Sequence, residues 1–227
     1  MSARLVEPEM LDALPPDDPR AQASRRDLKR INAFMLQTRI MAGALKTLPP
    51  PRNMVDLGSG DGLFMLSVAR RMAKLWPGVT VTLVDQQNIV TGETRARFAA
   101  LGWRCETVSA DVFDYVSCMG TADIVTANLF LHHFDQASLA RLLGTIAHNT
   151  RSFVACEPRR SAFSLLGSRI IFVLGANAVS RHDAVSSVRA GFDGTELSAL
   201  WPQSGWNVSE RWAPPFTHLF TATRDAP

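Results

Sequence analysis

The chain has 227 residues, a formal net charge of +3, 46% hydrophobic residues and 20% charged residues. That length suits one domain with a self-sufficient core, and the composition excludes disordered, collagenous and membrane-embedded classes. The arginines are scattered, and the densest run, Arg25-Arg26-Asp27-Leu28-Lys29-Arg30, reads as a solvated helix face, so no nucleic-acid partner is expected.

Residues 1–19 read as a loose lead-in, because Pro15-Pro16 and Pro19 block regular structure. They lack a basic stretch followed by an apolar one, so no signal peptide is expected. Ala21 to Leu48 is expected to be one helix, apolar at Leu28, Ile31, Met35, Ile40 and Leu45, and ended by Pro49-Pro50-Pro51. Asn53 to Leu57 is the first strand and Leu63 to Lys74 a helix. Val79 to Val84 is a second strand, rich in β-branched residues, followed by a helix from Asn88 to Leu101. Strands follow at Arg104 to Ser109, Ile124 to Ala127 and Ser152 to Cys156, with a helix at Gln136 to Ala147 before the last. Trp206 to Trp212 and Thr217 to Thr223 form a closing strand pair around Pro214-Pro215.

Strands alternating with helices predict an α/β fold, a doubly wound parallel sheet to which the closing hairpin adds one antiparallel strand. The expected organisation is one domain: a helical cap over 1–48, a core over 49–158, a second cap over 159–203 and the strand pair over 204–227. Cys105, Cys118 and Cys156 show no C-x-x-C spacing and read as reduced, partly buried thiols of a cytosolic protein. The apolar stretch Ser161 to Val179 is interrupted by Arg169 and small polar residues, so no membrane span is expected.

The segment Val55-Asp56-Leu57-Gly58-Ser59-Gly60-Asp61-Gly62 is an apolar strand that ends in an acid and a turn with glycine at every second position. Such a strand–loop–helix builds a nucleotide-type pocket at the carboxyl edge of a parallel sheet. A dinucleotide fingerprint would need its third glycine at position 63, which is Leu63, and this opposes a dehydrogenase. The pattern D-x-G-x-G-x-G resembles motif I of class I S-adenosylmethionine (SAM) dependent methyltransferases, and the strand pattern resembles their seven-stranded Rossmann-like sheet.

The resemblance implies SAM as cofactor. Gly58, Ser59, Gly60 and Gly62 would let the backbone approach its methionine part, and Asp56 would accept from its amino group. Asp85, at the end of the second strand and followed by Gln86, would accept both ribose hydroxyls, since one carboxylate offers two acceptor oxygens. Asp111 and Val112 would face the adenine. The stretch Ala122-Asp123-Ile124-Val125-Thr126-Ala127-Asn128-Leu129-Phe130-Leu131-His132-His133-Phe134 looks like the family's fourth-strand motif. It would bring Asn128 and Leu129 beside the methionine moiety and His133 near the adenine or the methyl site. One of the adjacent histidines reads as a packed structural residue, and no metal is expected, because no third ligand stands at suitable spacing.

The order Arg181-His182-Asp183, then Ser187-Val188-Arg189-Ala190-Gly191-Phe192, resembles small bacterial UbiE-like methyltransferases that accompany polyketide, quinone and other secondary-metabolite genes. Arg30 and Asn32 would close over the cofactor. In a helix, His182, Ser186 and Arg189 share a face, which makes His182, Asp183 and Arg189 candidates, with His133, for a catalytic base and its partners. The bland alternative is a helix start with an ordinary cap. The apolar surplus at Phe163, Leu165, Leu166, Ile170, Ile171, Phe172 and Leu174 points to a hydrophobic or aromatic small-molecule substrate, with a buried helix or a homodimer contact as the alternative. The reading is O- or C-methylation of a phenol, quinone or polyketide-derived acceptor. N-methylation of a heterocycle and a SAM-binding protein that acts as a cyclase or assembly partner are the alternatives.

Overall fold

The computed structural model describes residues 3–11, 13–15, 17–170 and 176–225. Of the expected apolar cap residues, Ile171, Phe172 and Leu174 lie outside the described residues, as does the side chain of Ile170.

Seven strands form one sheet. They are β1 (Asn53–Leu57), β2 (Thr80–Asp85), β3 (Arg104–Ser109), β4 (Ala122–Asn128), β5 (Thr150–Pro158), β6 (Trp206–Ala213) and β7 (Thr217–Arg224), in the order β3-β2-β1-β4-β5-β7-β6. β1 to β5 are parallel, and β7 runs antiparallel between β5 and β6. The chain leaves β1 for β2 on one side and reaches β4 on the other, so the crevice for a ligand opens above the ends of β1 and β4.

Alternation along β1 divides the core. Met54 faces α2 (Gln37–Leu45), α3 (Leu63–Met72) and α4 (Gly92–Ala100), where Met41, Leu45, Met65 and Phe98 are buried. Val55 and Leu57 face α5 (Val112–Cys118) and α6 (Gln136–His148), where Val116, Leu139 and Leu143 are buried. A period-2 strand between two helix layers has apolar residues on both faces, which explains the near-continuous hydrophobic runs. Cys156 is buried in the first layer, Cys105 is half-buried and Cys118 is exposed.

Above the carboxyl edge lie α1 (Pro19–Phe34), α7 (Ala162–Ile170) and α8 (Ala178–Ala190). The expected helix over 21–48 is two helices, broken at Met35 and Leu36. Leu36 has φ 58°, a left-handed conformation that a leucine rarely adopts. The break lets α1 pack on α8 while α2 turns onto the sheet with Met41 and Leu45 fully buried. Asp27 on α1 clasps the start of α8, accepting from the Asn177 amide at 3.0 Å and the Ser180 hydroxyl at 3.1 Å. Among the described residues no helix is long and apolar enough to cross a membrane.

The expected loose lead-in is instead, over residues 3–11, an extended strap across α8. The Arg4 guanidinium donates to the Ala190 carbonyl at 2.9 Å and covers the Phe192 ring at 4.2 Å. The Met10 and Leu11 amides donate to the two oxygens of Asp183 at 2.9 and 3.0 Å. Pro8 disfavours a helix there, but side chains elsewhere satisfy the extended backbone. Asp183 is thus the anchor of the strap. Asp183→Ala should leave both amides without their acceptor at a local cost of about 1–3 kcal/mol. Amide hydrogen exchange at Met10 and Leu11 should then speed up about tenfold or more while the amides of β1, β4 and β5 keep their protection.

Candidate functional site

A cavity of about 430 Å³ sits over the β1–β4 crevice, within the range for a small-molecule site. Its floor is the loop after β1. Gly58, Gly60 and Gly62 all have positive φ, but they do different work. A Cβ at Gly58 would overlap the Phe130 ring, and one at Gly62 would come 2.7 Å from Leu83 Cδ1. A Cβ at Gly60 would meet nothing within 4 Å. Gly58 and Gly60 line the cavity, whereas Gly62 packs the loop onto β2 and starts α3.

Two carboxylates stand at the ends of neighbouring strands. Asp56 is buried and accepts the Thr126 hydroxyl at 2.7 Å. Burial pushes its carboxyl up to about 7; the Thr126 hydroxyl opposes this and the charge of Asp85 adds to it. Asp85 accepts the Gly60 amide at 2.9 Å on one oxygen and the Gln87 amide at 2.9 Å on the other. Each oxygen keeps a second lone pair for a ligand hydroxyl. Among the described residues, the buried Ser59 Oγ and Asn128 Oδ1 find no hydrogen-bond partner. Both line the cavity, and buried polar atoms of this kind call for a polar ligand or water. The donors and acceptors on this wall therefore fit a cofactor with an ammonium group and a ribose.

The opposite wall combines aromatic rings with a titratable cluster. Leu129 follows β4 with φ 52°, a strained position for a leucine. The chain then makes a single 3-10 turn over Leu131–His133. Glu157, buried at the end of β5, accepts the Phe130 and Leu131 amides at 3.0 and 2.9 Å and meets Nδ1 of His132 at 2.7 Å. Burial works against a charge on His132, but the bonds to Glu157 and then Glu9 outweigh it and raise the imidazole to about 9. Glu9, on the strap, lies 3.3 Å from Nε2 of His132 and 3.3 Å from Nε2 of His133. Burial opposes ionisation of Glu9, but its bonds to the two histidines hold the carboxyl well below its ordinary range.

A family model described as a methyltransferase domain matches residues 54–152. The ribosomal protein L11 methyltransferase of Rhodopseudomonas palustris (strain BisB5) is 30% identical over 129 residues, 51% of this chain and 43% of that protein. The chain thus spans less than half the length of this curated relative. The solved plantazolicin methyltransferase BpumL in complex with SAH superposes with a TM-score of 0.65 at 13% identity, covering 92% of each chain. The mitomycin 7-O-methyltransferase MmcR superposes with a TM-score of 0.62 at 20% identity, covering 95% of this chain and 60% of that one. Residues 54–152 are thus the part of the chain that matches a methyltransferase domain, and the solved structures share its fold.

The cavity brings together Asp56, Gly58, Ser59, Gly60, Asp85, Gln86, Val112, Asn128, Leu129, His133 and Asp183 of the expected set. Asp111 stands outside the lining as the N-cap of α5, accepting from the Phe113 amide at 2.8 Å and from Gln86 at 3.2 Å. Arg30 turns away to Asp27, with its side chain 64% exposed, while Asn32 enters the cavity and accepts from Asn128 at 3.1 Å. His182 and Arg189 are exposed and outside the cavity, although Ser186 on the same expected face is buried. The expectation for α7 is also corrected. Its small residues Ser164, Gly167 and Ser168 line the cavity, while Phe163, whose ring stacks on Phe216, and Leu166 lie outside the lining, 58% and 57% exposed.

Sequence reasoning missed Glu9, Glu157 and Phe216. Glu157 had a signal, an acid directly after the apolar run of β5. Glu9 had none, because its neighbours at the site lie more than a hundred residues away. It also supplies the third ligand that spacing had excluded: Glu9, His132 and His133 each bring one ligand atom within 4.8 Å of the others.

Gly58→Ala should lower the unfolding temperature more than Gly60→Ala. Both carry about 1–2 kcal/mol of left-handed strain, and only the first must also displace the Phe130 ring; paired melting curves test the order. A second expectation follows from Asp56. A raised acid holds a proton in the folded state, so its contribution to stability is present below the ordinary carboxylate range and is lost as pH rises to about 7. An ammonium ligand binds the ionised form. S-adenosylhomocysteine should therefore bind about tenfold more weakly at pH 6 than at pH 8 and release a proton at the lower pH, as calorimetry in two buffers would reveal.

Proposed function

We propose that this chain is a SAM-dependent methyltransferase acting on a small hydrophobic or aromatic molecule, through the oxygen or carbon of a phenol, quinone or polyketide-derived acceptor. The observation that carries the reading is one cavity with two unlike walls: polar strand ends on one side, aromatic rings beside a proton-accepting cluster on the other. When bound, SAM supplies an electrophilic methyl on a sulfonium, open to in-line displacement.

The rest falls to the chain's residues. Asp56 holds the ammonium group, Asp85 the ribose hydroxyls, and Ser59 and Asn128 give their free polar atoms to the same ligand. Asp111 and Gln86 stand at the rim of the adenine end, beside Val112. Phe130, Phe134 and Phe216 exclude water and orient a flat acceptor. Such positioning accounts for roughly 7–11 kcal/mol of a barrier between two bound partners. A phenol with a pKa near 10 must lose its proton, and His133 is placed to take it. The Phe130 carbonyl, 3.0 Å from its Nδ1, accepts a hydrogen bond there and leaves Nε2 directed at Glu9. An N-methylation of a neutral heterocycle needs no such acceptor, so the cluster favours oxygen or carbon. An oxygen acceptor also agrees with the structural neighbour MmcR, a mitomycin 7-O-methyltransferase.

S-adenosylhomocysteine at about 100 times its dissociation constant should stabilise the chain by about 2.7 kcal/mol, a rise of about 5–10 °C, with no response to NAD. Methyl transfer from labelled SAM to a panel of phenols and quinones should then be detectable. His133→Ala should lower kcat by about 10²–10⁴-fold and change the S-adenosylhomocysteine shift far less. A shift with NAD alone would overturn the cofactor, and transfer only to heterocyclic nitrogen would overturn the acceptor.

A further inference from the structure

We propose that Glu9, His132 and His133 form a binding site for one divalent transition-metal ion, of the zinc, cobalt, manganese or iron(II) class, on the acceptor wall of the cavity. Three features of the geometry converge on it. First, the Nδ1 atoms of both histidines are committed. His132 Nδ1 meets the Glu157 carboxylate at 2.7 Å and His133 Nδ1 the Phe130 carbonyl at 3.0 Å. Both partners are acceptors only, so each imidazole keeps a proton on Nδ1, and a cation would bind at Nε2 by displacing any proton held there. A carboxylate behind a ligating histidine is the usual device for fixing the tautomer and raising ligand basicity.

Second, both Nε2 atoms aim at one carboxylate. The rings lie side by side with centroids 4.3 Å apart and planes 32° from parallel. Each Nε2 stands 3.3 Å from an oxygen of Glu9. Two ligand atoms about 2.0–2.2 Å from a shared cation sit about 3.3 Å apart at the tetrahedral angle. Protons would satisfy the two histidine–glutamate contacts separately and would set two imidazolium rings side by side. One divalent cation satisfies all three groups together.

Third, the site is closed behind and borders the cavity in front. The side chains of Glu157 and His132 are 0% and 3% exposed, whereas those of Glu9 and His133 are 12% and 25% exposed and line the cavity. Ser187, on α8, donates to Glu9 and to nothing else of the cluster among the described residues, which fixes the carboxylate from the side of the cap. Two imidazoles, one carboxylate and a face on the cavity leave a coordination position for water or for an acceptor oxygen. Two nitrogens and one oxygen favour zinc, cobalt, manganese or iron(II) over magnesium and calcium, which prefer oxygen alone. Binding of the ion rests on these residues alone; its use as a Lewis acid toward an acceptor oxygen rests on the methyl-transfer reading, and with the ion bound His133 serves as a ligand in place of acting as the base.

The test is a titration of the metal-stripped chain, free of any histidine tag, with Co²⁺ at neutral pH. The expected result is a visible ligand-field band that saturates at one Co²⁺ per chain in the micromolar range and is abolished by Zn²⁺. Glu9→Gln and His133→Asn, both on the partly exposed side of the site, should each weaken binding by at least about 10–100-fold. Melting curves of the metal-free variants check that they are folded. Absence of binding by the wild-type chain up to millimolar Co²⁺ would overturn the site, and so would a titration that both folded variants leave unchanged. Because the wild-type titration stands alone, an unfolded variant does not remove the test. Metal binding without methyl transfer would confirm the site and count only against the acceptor reading.

Discussion

The carboxylate of Glu157 is the contact on which the acceptor side of the cavity depends. It is fully buried at the end of a central strand, where an unpaired charge would be prohibitive. Three partners compensate it: two backbone amides of the turn after β4 and the imidazole of His132. Those bonds fix the turn, the turn aims the paired histidines, and the histidines receive Glu9 from the strap. A strand end, a turn and the amino-terminal segment are thus joined through one side chain. The cofactor side has a simpler basis, since Asp56 and Asp85 sit where parallel strands end and need only the glycine loop between them.

The division of labour along the sheet follows from this. β1 and β2 supply acids that the fold places regardless of the cap. β4 and β5 supply a turn whose geometry is meaningful only once α8 and the strap have closed over it. The cap is itself tied together by polar clasps, Asp27 to the start of α8 and Asp183 to the strap. It meets the cavity through Leu28, Ile31 and Met35 at α1, the small residues of α7, and Ala184, Ser187 and Val188 of α8.

What the sequence disclosed and what it withheld differ in kind. The glycine loop, Asp85 and the run through His133 were legible because each belongs to a strand–loop–helix unit with its own local signature. The sheet order followed from the same units. The break at Leu36 was not legible: nothing in Met35-Leu36-Gln37 marks a turn, and the left-handed leucine accompanies the separate packing of α1 on α8 and α2 on the sheet. His182 and Arg189 looked catalytic because helical spacing puts them on one face, but spacing does not say which face meets the cavity. Phe163 and Leu166 misled for the same reason, as apolar residues that stay outside the lining while serines and a glycine face the cavity. Glu9 was beyond reach, since its role exists only after the strap has folded across α8.

Leu129 carries a consequence for the protein's adaptability. Its left-handed backbone lies where the fourth strand gives way to the cavity wall, and bulky residues bear a cost of about 1–3 kcal/mol in such conformations. Glycine or asparagine would relax that backbone, yet either would strip the wall of its leucine. Heat resistance and ligand shape therefore pull this one position in opposite directions, and selection for robustness alone would erode the surface on which recognition depends.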